Sequence, residues 1–258
     1  MYATKHTIAF FEIITLILLY YLVTWQIIPS ITTQFHANVL FGSTLLVGVY
    51  FVYFSPVRIH GDHPHTRGIG ETRQLYIRTD NLSVAFKPYL GFVLTATAIL
   101  LIATVFKDVN LLSSFHTETF ISKFILYLFS AALQDIIFFS FLFVRIVVLI
   151  AVIFKEQTEQ FRKVLSVAVF TLLFSLFHLP NTELMGITVF FSFWLGWIFY
   201  EHPNLFLIVI THALLGTMLH RIYQLHMKLG VYYGTYGEGD HFFRNYIPIL
   251  QHLIENRW

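Results

Sequence analysis

Ser130-Ala-Ala-Leu-Gln-Asp-Ile-Ile-Phe-Phe-Ser-Phe-Leu-Phe-Val-Arg145 is the stretch that decides how the chain is read. It lies inside an apolar run from Phe120 to Phe154, yet it carries an amide, a carboxylate and a guanidinium. A run of that length can cross a bilayer, whose hydrocarbon core takes about 20 helical residues. Placing Asp135 near mid-membrane costs roughly 2.5–3.5 kcal/mol on insertion scales, so it should face a protein interior or a water-filled cavity, and it marks a candidate functional site. The plainer alternative is a polar contact that ties helices together, a routine device in membrane bundles. On an α-helix Gln134 and Arg145 stand eleven residues apart, about three turns, and share a stripe with Phe138 and Phe141. That stripe is expected to face inward.

Outward from this segment the composition agrees. The chain is 57% hydrophobic and 12% charged, with 29 Phe and 14 Tyr, whereas soluble domains carry about 25% charged residues. Apolar runs at about 8–28, 39–54, 90–105, 120–154, 164–181, 184–200 and 205–219 predict some seven spans. The expected fold is therefore all-α: a polytopic membrane protein of about seven transmembrane helices, bundled around a polar intramembrane cavity. The bundle takes residues 1–219, and residues 220–258, rich in Tyr, Phe and His, form a tail or cap too polar to span.

The first run is longer than a signal peptide's apolar core and lacks a small-residue cleavage pattern, so it is read as a retained span. Glu12 within it is read as interfacial, its carboxylate reaching water. The absence of cysteine excludes disulfides and thiolate chemistry. A net charge of +2 with no long basic block gives no reason to expect nucleic acid as a partner. Membrane lipid is the expected partner, with a hydrophobic or membrane-protein partner or substrate beside it. With seven spans, nine Lys and Arg fall on the N-terminal side and six on the other, which places the N-terminus in the cytoplasm. His60, His63 and His65 recur in the polar loop after the second run. With no Cys and few nearby carboxylates they read as a solvated loop rather than a metal site.

Two histidines complete the intramembrane set. At ~1.5 Å per residue, Asp135, His178 and His212 fall within one middle slab of the membrane. A carboxylate, an amide and two histidines at similar depth point to a common site made of Gln134, Asp135, His178 and His212. Gln134-Asp135 is followed in order by Phe174-Ser-Leu-Phe-His178 and by His212 with Gly216 four positions on.

At these residues the chain resembles the CPBP (CAAX protease and bacteriocin-processing) family of intramembrane proteases, over roughly residues 120–216. That family carries Glu-Glu-x-x-x-Arg, then Phe-x-x-x-His, then His-x-x-x-Asn or Asp on successive helices. The resemblance implies a helical membrane protein, found in a bacterial inner membrane. In the family the leading glutamate activates a water for attack on a peptide carbonyl, while the histidines and the Asn hold that water and stabilise the oxyanion. Here the leading glutamate is Gln134, the arginine position is Phe139, and the last position of the third motif is Gly216. An amide has no useful basicity, and loss of one oxyanion donor costs about 2.7–4 kcal/mol. The resemblance thus implies a degenerate site and a non-catalytic scaffold or partner-binding subunit. One alternative is an active intramembrane endopeptidase using Asp135, His178 and His212. Another is a pigment- or cofactor-binding subunit with the histidines as axial ligands, which the composition permits and no motif supports. No metal site and no particular cofactor is indicated.

Overall fold

A computed structural model describes residues 2–27, 79–106 and 117–223 together with isolated positions elsewhere, and seven α-helices occur among the described residues. They are α1 (Tyr2–Leu22), α2 (Leu82–Phe106), α3 (Thr117–Asp135), α4 (Val144–Ile153), α5 (Glu159–Leu176), α6 (Thr182–Glu201) and α7 (Leu205–Arg221). A π-helical turn, Val23–Ile27, extends α1, and a π-helical segment, Ile136–Phe143, joins α3 to α4 without a break. No strand occurs among the described residues. The expected second span at 39–54, the His60–His63–His65 loop and nearly all of the tail lie outside them.

Among the described residues four helices are long and apolar enough to cross a membrane: His6–Ile27, Leu82–Phe106, Phe120–Ile153 and Thr182–Glu201. Their outward side chains fit a lipid surround, with Phe11, Leu18, Leu94 and Phe106 all exposed. The other two fall short for visible reasons. Helix α5 opens on Glu159, Arg162 and Lys163, and α7 is only 17 residues long. Helix α2 begins at Leu82, eight residues before the apolar run starts, because Lys87 and Pro88 interrupt the hydropathy but not the helix. Proline is tolerated inside membrane helices where neighbouring groups satisfy the freed backbone.

Side chains cap three of the helix starts. Thr158, Asn181 and Asn204 accept from the backbone N–H groups of Phe161, Leu184 and Leu207 at 3.2, 3.0 and 3.1 Å, satisfying donors that a helix start leaves unpaired. Helix α5 ends at Leu176, ahead of Pro180.

Packing joins α3 to α7, α5 to α6, α2 to α7 and α1 to α4. An aromatic core holds the middle. Phe139 sits 4.9 Å from Phe170 and 5.4 Å from Phe199, ring centre to ring centre, and Phe143 sits 5.0 Å from Phe170. Such pairs contribute about 0.5–1.5 kcal/mol each beyond the area they bury. Phe139 thus serves packing.

Two expectations about charge are corrected. Glu12 does not reach interfacial water: it is buried, and Arg145 Nε donates to its Oε2 at 2.8 Å. Arg145 is buried as well; it also donates to the Phe141 carbonyl at 3.3 Å and lies 3.6 Å over that residue's ring. Arg145 thus ties α4 to α1 rather than joining Gln134 in one inward stripe. The cause is the π-helical segment, where each turn takes about one residue more than an α-turn, so eleven residues no longer make three turns. Lys163, in the first turns of α5, is buried as well, ion-paired with Glu201 and 3.5 Å over the Trp197 ring.

Candidate functional site

The end of α3 supplies the carboxylate. Asp135 is fully buried, and His212 Nδ1 donates to its Oδ1 at 2.8 Å. Its second oxygen, Oδ2, is also buried and has no hydrogen-bond partner among the described residues. A lone pair left unsatisfied in a low-dielectric interior is costly, and in native structures such an atom calls for an explanation.

His212 is held from both sides by one helix. Its Nδ1 faces Asp135, and its Nε2 lies 3.3 Å from the Tyr127 hydroxyl, a little over two turns earlier on α3. When the carboxylate is ionised Nδ1 must carry a proton, so in the neutral ring Nε2 accepts from the Tyr127 O–H. The imidazole keeps 18% of its side-chain surface open.

Gly216, one turn beyond His212, explains how Tyr127 gets so close. A Cβ at position 216 would overlap Cε1 of Tyr127, so the ring fills the space that any larger residue would need. Tyr127 was not among the residues picked out from sequence. A tyrosine in an apolar helix is common at membrane interfaces, and nothing in the sequence marked this one as the ring packed at 216.

The other two expected site residues behave differently. Gln134 is half-buried and donates to Ser130 Oγ at 3.0 Å on its own helix, so it does not join Asp135 and His212. His178 donates from Nδ1 to the Phe174 carbonyl at 2.8 Å, which fixes its tautomer because a carbonyl can only accept. The Phe174 ring stands against both histidines, 5.1 Å from His178 and 6.5 Å from His212 between ring centres.

Beside them lies a cavity of about 50 Å³ whose lining includes Tyr127, His178, His212, Thr188 and Ser192 among mostly aromatic and aliphatic side chains. Neither Gln134 nor Asp135 is part of that lining. At roughly 10–15 Å³ per water the space admits a few waters, and it is far below the ~300 Å³ of a small-molecule pocket. No group of three or more His, Cys, Asp or Glu that could hold a metal ion occurs among the described residues.

No family model matches the chain, and no curated protein or solved structure matches it either. Function therefore has to be read from the residues themselves and their geometry.

Proposed function

We propose that the chain is a polytopic membrane protein of the CPBP type that hydrolyses peptide bonds in membrane-embedded, hydrophobic substrates. The observation that carries this reading is the buried Asp135–His212 contact at 2.8 Å, set beside a water-sized cavity shared with His178. Ionisable groups inside membrane helices mark function by default, and a carboxylate that orients an imidazole makes a base active near neutral pH. The base that Gln134 cannot supply would come from His212, with Asp135 as its orienting partner. In the reaction a cavity water gives up a proton to that base and attacks the substrate carbonyl. The C–N bond then breaks, and the same proton goes to the departing amine.

The remaining topology belongs to the same proposal. Helices α5 and α7 and the run at 39–54 also cross, for about seven spans. The N-terminus lies in the cytoplasm of a bacterial cell, and the basic loop after the second span faces the cytoplasmic leaflet, where each Lys or Arg gains about 1 kcal/mol against anionic lipid. Labelling of a Gly68→Cys variant by an impermeant reagent added outside intact cells would contradict that orientation.

The activity is tested by incubating the purified protein in bicelles with a fluorogenic hydrophobic-helix reporter. Wild type should cleave it, and His212→Gln and Asp135→Asn should each lose about 10²–10⁴-fold, the usual contribution of a positioned base. Equal rates in all three proteins would sink the reading. One feature favours a second reading, that of a non-catalytic partner-binding subunit. The cavity admits water but no peptide segment, and Gln134 is turned back onto Ser130. An inactive wild type that still co-purifies with one defined membrane protein would establish it.

A further inference from the structure

From the grip of α3 on both nitrogens of His212, we infer that Tyr127 is the group that meets the cavity's water, as the third member of an Asp135–His212–Tyr127 proton relay. This rests on the hydrolytic reading of the same site and changes which atom does the work. His212 cannot take a proton directly from water while its Nδ1 is on Asp135 and its Nε2 is on the Tyr127 hydroxyl. Both His212 and Tyr127 border the cavity, and with both ring nitrogens engaged the basicity of His212 reaches the water through that hydroxyl. A tyrosine hydroxyl can donate and accept at once, which is what an intermediate carrier must do.

The protons balance without any added reagent. The attacking water gives a proton to the Tyr127 oxygen as the Tyr127 hydroxyl proton moves to His212 Nε2, leaving an imidazolium against the Asp135 carboxylate. Collapse of the tetrahedral intermediate runs the transfer backwards. His212 returns its proton to the tyrosine oxygen, the tyrosine passes one to the leaving amine, and the C–N bond breaks.

Packing supports a dedicated position for the ring. Tyr127 is locked against α7 by the missing side chain at Gly216, where a Cβ would overlap the ring edge. The ring meets the His212 imidazole edge-on, with centres 5.7 Å apart at 85°. The notch at 216 and the hydroxyl contact at 212 lie one turn apart on the same helix, so they position one side chain together.

The relay is tested with Tyr127→Phe, which keeps the ring in the notch and removes only the hydroxyl. The probe is diethyl pyrocarbonate, which acylates the neutral imidazole, read residue by residue by mass spectrometry of the full-length protein in detergent. His178, tied to the Phe174 carbonyl, serves as internal reference. Tyr127→Phe should label His212 about fivefold faster than wild type, the equilibrium worth of roughly one neutral hydrogen bond, with His178 unchanged. Gly216→Ala, which displaces the whole ring, should do the same. In the reporter assay Tyr127→Phe should lose turnover to the same degree as His212→Gln. Unchanged His212 labelling would overturn the contact, and faster labelling with turnover retained would overturn the relay. An inactive wild type combined with faster His212 labelling in Tyr127→Phe would instead remove the hydrolytic reading and the relay with it. The hydroxyl would then stand as a cap on His212 only.

Discussion

Two buried acid–base contacts cross this helical bundle, and they are built for different ends. Glu12 and Arg145 join α1 to α4 at 2.8 Å, each under a tenth exposed, with the guanidinium also on the Phe141 carbonyl and ring. Asp135 and His212 join α3 to α7 at the same distance, but the imidazole stays 18% open, borders a cavity and touches a tyrosine hydroxyl. The first pair has its guanidinium aimed at protein acceptors, the Glu12 carboxylate and the Phe141 carbonyl, so it works as a clamp. The second contains the one side-chain type whose ordinary pKa lies near neutrality, and it leaves a carboxylate oxygen unused. An ionisable group inside a membrane helix is thus not in itself a site; access and an exchangeable proton make the difference.

The sharpest way to break this contrast is Glu12→Ala. It leaves the Arg145 guanidinium buried without its counter-charge, and removing one member of such a pair costs about 3–5 kcal/mol. Thermal unfolding in detergent should show that loss, and a change below about 1 kcal/mol would mean the clamp is solvated. Gly216→Ala comes next. Forcing a methyl into the Tyr127 ring should destabilise the protein by about 1–3 kcal/mol, as overpacking does, and in a Tyr127→Ala background the same methyl should cost little, because the ring it overlaps is gone. Asp135→Asn should cost only about 1 kcal/mol in unfolding, one neutral hydrogen bond, because the amide oxygen can still accept from His212 Nδ1. Its effect belongs in turnover. The smallest effect is expected for Glu201→Gln, whose side chain is about half exposed beside Lys163. Lys163 itself is buried, but solvent screens the half-exposed Glu201 and an amide oxygen in its place can still accept from Lys163, so the loss should stay at or below about 1 kcal/mol.

The helical, membrane-type architecture was legible because the chain's apolar runs have the length a bilayer dictates. Asp135 stood out for the same reason, as a carboxylate in a long run of Phe, Ile and Leu. The capping residues Thr158, Asn181 and Asn204 are of types that favour helix starts, but only the structure shows them in that role. Other features had no local signal. Glu12 and Arg145 are 133 positions apart, and each alone reads as a residue near water or near its own helix partners. The π-helical segment is built wholly from apolar residues and one serine, so nothing in Ile136–Phe143 announces the change of register that turned Arg145 away from Gln134. Tyr127 was hidden because its significance lies in the partner it touches rather than in its type. Gly216 was visible only as a side chain missing from a resembled motif, and the ring that fills its place could not be read from spacing.

The most direct test measures reporter turnover and thermal unfolding together for wild type, His212→Gln and the double variant Glu12→Leu with Arg145→Met. Replacing a whole buried ion pair by apolar residues is often neutral for stability or better, so the double variant should fold and retain turnover. His212→Gln should fold equally well and lose about 10²–10⁴-fold in turnover. If His212→Gln turned over the reporter as fast as the double variant does, the Asp135–His212 contact would be a second clamp and not a site.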